Sequence, residues 1–117
     1  MITFEDIEAK IKEETDWRIV SRDNSAKGFA VWELENFSPA GEDLVISVGG
    51  ITPEGMIRDI VDFANNFDPD EHIEMWIEAR HNGGRAIPST RVLVEDADAI
   101  EGMLQELADK VNELKEE

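Results

Sequence analysis

The residues with the greatest capacity for chemistry follow one another in the stretch "DPDEHIEMWIEARHNGG". Asp68, Asp70, Glu71 and His72 offer the carboxylate and imidazole donors that several divalent cations accept. The same four residues also suit the start of an α-helix, with Asp68 as N-cap, a proline at the first helical position and acids near the free N–H groups. The pattern favours the helix cap, and we expect no metal here.

Signatures of catalysis are missing elsewhere in the sequence. His72 and His81 are nine residues apart and cannot form a pair one helical turn apart. No serine lies in a nucleophile-elbow pattern, and the absence of cysteine excludes thiolate nucleophiles, disulfides and cysteine-ligated metals. Gly49 and Gly50 precede a predicted helix, as in phosphate-binding loops, but the required lysine is absent, so the pair indicates a turn. We therefore expect a protein that is not an enzyme and needs no cofactor.

Charge is the strongest global feature of the chain. The 117 residues include 28 Asp and Glu against 11 Lys and Arg, which leaves a net charge of −17. Direct binding to nucleic acid depends on Lys and Arg at phosphates, so we do not expect it, and a basic protein surface is the favoured partner. The candidate contacts are two sets of helical carboxylates: the first acidic triplet (Glu71, Glu74, Glu78) and the second acidic triplet (Glu106, Asp109, Glu113).

Positive charge is concentrated in one place, around the sequence "ARHNGGR". It comprises Arg80, His81, Arg85 and the nearby Arg91. Two interpretations are open: these side chains pair with carboxylates of the protein itself, or they contact an anion or a partner on an otherwise repulsive surface.

Length and composition predict one domain over residues 1–117. The chain is 41% apolar, with three Trp and five Phe, which is enough for a modest core. No run approaches the roughly 20 apolar residues of a membrane span, and "MITFEDIEAK" lacks the features of a signal peptide. We expect a soluble, cytoplasmic protein without membrane contact, either monomer or dimer.

The first half of the chain predicts a helix and a sheet. Thr3 is a candidate N-cap with Asp6 three residues later, and Ile7 and Ile11 fall on one face of a helix that runs to about Thr15. Three β-rich runs follow, "WRIVSRD", "FAVWELENF" and "LVISVGG". The polar connection "NSAKG" between the first two is typical of a hairpin. Together the runs predict an antiparallel three-stranded sheet.

Two capped helices are predicted next. Thr52 is the N-cap of "TPEGMIRDIVDFANNF", which has proline at its first position and apolar residues at core spacing. The second helix starts after Asp68 and stops at Asn82 or Gly83. One face of this helix is largely apolar and another carries Glu71, Glu74 and Glu78. Trp76 lies on the apolar face, so we expect this side chain in the core.

A long C-terminal helix completes the predicted α+β fold. It runs from about Asp96 to Glu116, preceded by a short turn or strand at "TRVLVE", and its apolar positions are Ile100, Leu104, Leu107, Val111 and Leu114. The acidic residues of its other faces, Asp96 among them, are expected in solvent. The predicted order is an N-terminal helix, an antiparallel three-stranded sheet, two capped helices and a long C-terminal helix.

The phrases "NNFDPDEHIEMWIEAR", "AIPS" and "EDADAIEGMLQELA" resemble small uncharacterised acidic proteins encoded by phages and mobile elements of gut Firmicutes. The resemblance covers roughly residues 59–107. It implies a context in which such proteins inhibit host defence, including anti-restriction and anti-CRISPR proteins that mimic nucleic acid. It supplies no functional residue.

The charge is compatible with mimicry. A globule of 117 residues has a radius of gyration near 13 Å and a diameter of roughly 35 Å. Duplex DNA of that length carries about 20 charges, which is close to the net −17. The leading hypothesis is a non-enzymatic binding protein whose acidic helices engage a basic surface, such as the nucleic-acid groove of a defence nuclease. The alternative is a cytoplasmic accessory or structural module that pairs through an apolar patch.

Overall fold

The computed structural model describes residues 1–26 and 29–116, with the side chains of 24–26 excepted. The predicted α+β architecture and element order are confirmed. The elements in chain order are α1 (Phe4–Glu14), β1 (Arg18–Ala26), β2 (Phe29–Phe37), β3 (Asp43–Gly50), α2 (Pro53–Asn66), α3 (Pro69–Asn82), α4 (Thr90–Asn112) and a 3₁₀ turn (Glu113–Lys115).

Helix α1 begins with the predicted reciprocal cap. The Asp6 N–H donates to the Thr3 hydroxyl at 3.1 Å, and the Thr3 N–H donates to the Asp6 carboxylate at 2.9 Å. Two of the N–H groups that a helix start leaves unpaired are thereby satisfied. Ile7 and Ile11 are fully buried, and the helix ends at Glu14 with Thr15 as its C-cap, close to the predicted end at about Thr15.

The sheet is an antiparallel meander in the order β1-β2-β3. Its inner face carries the buried side chains of β2, and the register sets Trp32 opposite Val48 and Leu34 opposite Ile46. Strand β1 runs three residues beyond the predicted "WRIVSRD", to Ala26. The rest of the predicted polar connection, residues 27–28, lies outside the described residues.

The outer face of the sheet keeps large apolar side chains in solvent. Phe29 and Phe37 of β2 and Val45 of β3 are all exposed. Alternation along the strands separates them from the buried residues of the inner face. The face also carries Glu33 and Glu35, so it is neither fully polar nor fully apolar.

One main cluster of buried side chains joins α1, the sheet, α2 and α4. Two hydrogen bonds fix the helices around it. The Trp17 indole N–H donates to the Met103 carbonyl of α4 at 3.2 Å, and the Gly49 N–H of β3 donates to the Asp59 carboxylate of α2 at 2.8 Å. The main cluster and these two hydrogen bonds together hold α2 on the sheet and α4 against Trp17.

Helix α3 is attached outside the main cluster. Its single buried residue is Trp76, and it packs against α4, where Leu93 and Ala97 are also buried but do not belong to the main cluster. A small second apolar contact therefore holds α3 to the rest of the fold. Trp76 in the interior confirms the expectation from the sequence.

Helix α4 begins at Thr90, six residues earlier than predicted, so the turn or strand expected at "TRVLVE" is wrong. Ser89 caps it by accepting from the Val92 N–H at 3.3 Å. Leu93 and Ala97 extend the buried stripe toward the N-terminus. The end of the predicted helix is the separate 3₁₀ turn Glu113–Lys115.

Asp96 is buried, which corrects the expectation that it lies in solvent. The residue is 3% exposed, and its Oδ1 accepts from the Ala40 N–H at 2.8 Å. Its Oδ2 is buried with no hydrogen-bond partner among the described residues. Asp96 is buried because it continues the buried stripe of α4, where the β2–β3 loop covers it and donates the Ala40 N–H to its carboxylate.

The molecule is longer and narrower than a globule of this length. Its Cα atoms extend over 47 × 28 × 22 Å with a radius of gyration of 15.4 Å, so the expectation of about 13 Å and a 35 Å diameter is wrong. The lateral attachment of α3 agrees with this shape. Among the described residues, no helix combines the length and the apolar character that crossing a bilayer requires.

Candidate functional site

The start of α3 is a helix cap, as predicted. The Asp68 carboxylate accepts from the N–H groups of Asp70 and Glu71 at 3.0 and 3.4 Å, and Pro69 holds the first helical position. Asp70 and Glu71 face the positive end of the helix dipole. Within the described part of the chain, no three His, Cys, Asp or Glu side chains are arranged to hold a metal ion.

His72 links α3 to the β2–β3 loop. Its Nε2 lies 3.1 Å from the Glu42 carboxylate. The imidazole is also flanked by two aromatic rings, with centroid distances of 5.4 Å to Phe67 and 6.3 Å to Trp76. The Arg80 guanidinium continues this row at 5.3 Å from the Trp76 ring. These contacts fix the inner side of α3 and direct its other faces to solvent.

Two residues of the positive cluster have partners within the protein. Arg80 Nη1 donates to the Ala86 carbonyl at 3.0 Å, and Arg91 Nε donates to Glu95 at 3.0 Å. His81 and Arg85 are exposed and have no ion pair with a described residue. For Arg91 the geometry favours pairing with the protein's own carboxylates over an anion site.

The first acidic triplet lies on the exposed side of α3. Glu71, Glu74 and Glu78 are all exposed, and none has a Lys, Arg or His side chain within ion-pair distance among the described residues. In the second acidic triplet, Glu106 and Asp109 share these properties on α4. These five carboxylates keep their charge available for an external partner.

Glu113, the third member of the second acidic triplet, is used inside the fold. Its carboxylate lies 3.2 Å from the buried Lys10 ammonium and 3.6 Å from Lys110. The hydrogen bond from Lys10 lowers the pKa of Glu113. The pKa of Lys10 is raised, first by its hydrogen bond to Glu14 at 2.7 Å and then by Glu113, although burial acts against the charged form.

An apolar recess lies between the two capped helices, and we name it the α2–α3 groove. It has a volume of about 470 Å³ and is lined by Asp59, Asp62, Phe63, Asn66, Phe67, Asp68, Glu71, His72 and Met75. The two helices are separated by two residues only, Phe67 and Asp68, so they diverge from a common point. The groove is the space between them.

The groove combines apolar walls with acidic edges. Phe63 is 39% exposed and Met75 is 61% exposed. Asp62 and Glu71 at the edges are exposed and have no ion pair among the described residues. Of the residues that line the groove, the sequence predicts Glu71 alone as a partner contact, whereas Asp68 and His72 are considered there only as possible metal donors. The available signal was the presence of Phe63 and Met75 at helical positions away from the core stripe.

A second cavity of about 440 Å³ lies on the other side of His72 and Met75. Its lining has mixed charge, with Glu42 and Asp43 from the loop and strand and Arg80 and Arg85 from the helix side. The pKa of Asp43 is raised, chiefly by desolvation on the sheet although the side chain is largely exposed, and further by the Glu35 carboxylate. The charged side chains that line this cavity are of both signs, so they do not define a site for an ion of one sign.

Comparison with known proteins finds no matching family model, no matching curated protein and no matching solved structure. The resemblance to phage and mobile-element proteins therefore stays a hypothesis.

Proposed function

We propose that the protein is a small, acidic, non-enzymatic binding protein that engages a basic surface on another protein. One observation carries the proposal: the first acidic triplet, with Glu106 and Asp109, presents exposed carboxylates that no described cationic side chain neutralises. Exposed charges of one sign attract an oppositely charged partner and accelerate its association.

Shape supports a specific form of the proposal, in which the partner is a nucleic-acid-binding protein and the acidic protein occupies its groove. The long axis of 47 Å corresponds to a duplex segment with about 28 phosphates. The net charge of −17 is about three-fifths of that number, so the protein carries its charge less densely along its axis than a duplex does. The two shorter dimensions, 28 and 22 Å, are those of a rod rather than a sphere.

Biological context extends the proposal. We propose that the protein acts in the cytoplasm as a phage or mobile-element inhibitor of a host defence nuclease. The resemblance in phrases such as "NNFDPDEHIEMWIEAR" supports this context. In this proposal the charge that contacts the partner comes from five of the six predicted carboxylates. The sixth, Glu113, is used for ion pairs within the fold.

The test is a charge-reversal experiment with a matched control. Partners are cross-linked in cells that make the protein, identified, purified and used in stopped-flow association measurements. The test variant replaces Glu71, Glu74 and Glu78 by Lys. The control variant replaces three exposed carboxylates outside α3 by Lys, and it therefore changes the net charge by the same amount. These are Glu13 of α1, Glu33 of β2 and Glu101 of α4.

We expect the partner to be basic and the test variant to slow association by about tenfold or more at low salt, with a smaller effect in the control. Raising the ionic strength should slow the wild-type protein, because exposed charges are screened over about 8 Å under physiological conditions. A neutral partner, or equal association of wild type and test variant, would refute the proposal.

The outer face of the sheet supports a second candidate function, an accessory module that pairs with an apolar surface. Phe29, Phe37 and Val45 are all exposed on this face. Val45 pairs opposite Glu35 and so lies toward the Phe37 end of β2, whereas Phe29 lies at the other end of the strand. Such pairing would depend little on salt and would be abolished by Val45→Lys, whereas reversal of the first acidic triplet would leave it unchanged. The two functions therefore give opposite results in the same measurement.

A further inference from the structure

We infer that the α2–α3 groove receives an apolar side chain from a basic segment of the partner protein, while flanking Lys or Arg side chains meet Asp62 and Glu71. This inference rests on the proposed function and names the chemistry of the contacting segment. It concerns a defined recess rather than the acidic surface as a whole.

Apolar walls are the first argument. Phe63 and Met75 are among the largest apolar side chains that the helices expose, and they face a shared recess with the half-buried Phe67. In a chain with a net charge of −17, helical positions outside the core are mostly charged. Exposed apolar groups grouped around a concave surface are typical of a binding site rather than of a solvated helix face.

Charge at the edges is the second argument. Asp59 and Asp68 each accept backbone N–H groups, and Asp62 and Glu71 have no ion pair among the described residues. A neutral ligand in the groove would remove hydrating water from these carboxylates and offer no hydrogen bond or charge in its place, which costs free energy. An anionic ligand would be repelled, so the occupant must carry positive charge beside its apolar group.

Size and support are the third argument. A volume of about 470 Å³ is within the range of small-ligand pockets and fits one or two large side chains. The α3 wall is held in place by the contact between His72, which lines the groove, and Glu42, and by the buried side chain of Trp76. The groove is therefore formed before binding, and it suits an anchoring side chain from an extended or helical segment.

The methionines provide a direct readout. Met75 lines the groove, whereas Met56 is fully buried in the main cluster and Met103 packs against it. With ¹³C-methyl methionine, NMR spectra are recorded while a short synthetic peptide with lysines around a Leu-Leu pair is added. The comparison peptide has the same lysines around a Gly-Gly pair.

We expect the Leu-containing peptide to shift the Met75 methyl signal and to leave those of Met56 and Met103 unchanged. It should bind at least about tenfold more tightly than the Gly-containing peptide, because the apolar pair fills the groove. Asp62→Lys should weaken its binding about tenfold or more. Glu101→Lys, an identical charge change at an exposed position of α4 outside the groove, should weaken it less than about threefold.

The outcomes separate the two proposals. If both peptides bind equally, Met75 does not respond and Asp62→Lys matches Glu101→Lys, the groove inference is overturned and the acidic-surface proposal stands. If neither peptide binds at low salt, the groove inference is overturned, and the acidic-surface proposal is decided by the charge-reversal experiment with the folded partner. A Met75 shift with equal binding of a peptide that has glutamates in place of lysines would overturn the charge requirement.

Discussion

Substitution of Gly50 by alanine tests how closely β3 approaches α2, the contact that positions one wall of the α2–α3 groove. A Cβ atom added at Gly50 would lie 2.4 Å from the Met56 nitrogen and 2.7 Å from the Gly55 carbonyl carbon. Both are backbone atoms at the start of α2, so neither can rotate away. An ordinary contact begins near 3.4 Å, so the helix would have to move by about 1 Å.

The expected change in the free energy of unfolding follows from overpacking at Gly50, and two further glycine-to-alanine substitutions serve as controls. Displacement of a packed element costs about 1–3 kcal/mol. Gly102 in α4 has no atom within 4 Å of the added Cβ, so Gly102→Ala should stabilise the helix by about 0.5–1 kcal/mol. Gly41 also has open space but a φ of +85°, so Gly41→Ala should cost about 1–2 kcal/mol through backbone strain alone.

The assay is urea unfolding followed by far-UV circular dichroism, with all three variants compared at one temperature. Gly50→Ala and Gly102→Ala should move the midpoint in opposite directions, with a total separation of about 1.5–4 kcal/mol in the free energy of unfolding. A Gly50→Ala variant as stable as the wild type would show that β3 and α2 are further apart than described. Destabilisation by Gly102→Ala would refute the account of α4.

Three further predictions concern the cap, the attachment of α3 and the buried ion pair. Asp68→Ala should lower the free energy of unfolding by about 0.5–2 kcal/mol, whereas Asp68→Asn should retain most of it, as urea titrations would show; equal values for both variants would argue against the cap. Trp76→Ala should accelerate amide hydrogen exchange in α3 while the amides of α2 and α4 stay protected, because Trp76 lies outside the main cluster; uniform loss of protection would contradict a separate attachment. The pKa of Glu113 is lowered in the folded state, so its ion pair stabilises the fold above the ordinary pKa of 4.5, and this stabilisation is lost as the pH falls through the folded-state pKa. The pKa of Lys10 is raised, so its stabilisation is present below the ordinary pKa of 10.5 and is lost as the pH rises through the folded-state pKa. Glu113→Gln should therefore flatten the acid limb of a plot of urea midpoint against pH, and an unchanged limb would refute the pair.

Local signals in the sequence were enough to predict the element order. Caps such as Thr3 and Asp68 act within a few residues, so their hydrogen bonds can be read from the sequence alone. The start of α4 was missed because the valines of "TRVLVE" favour strands, while the cap at Ser89 and the buried stripe from Leu93 are compatible with a helix. In the folded protein the cap and the buried stripe outweigh the strand propensity of the valines.

Contacts between distant segments could not be predicted in the same way. The pairing of Asp96 with the Ala40 N–H and of Lys10 with Glu113 joins residues far apart in sequence. The α2–α3 groove depends on the angle between two helices, which their individual periodicities do not determine. Glu71 was predicted from its charge, but its apolar neighbour Met75 was not.

Competition with DNA tests the central claim most directly. A labelled duplex is bound to the purified basic partner, and its fluorescence anisotropy is followed as the acidic protein is added. We predict that the protein displaces the duplex, that displacement weakens as salt is raised, and that reversal of Glu71, Glu74 and Glu78 to Lys largely prevents it. Formation of a ternary complex with the duplex still bound, or displacement that is equal for wild type and variant, would contradict the account.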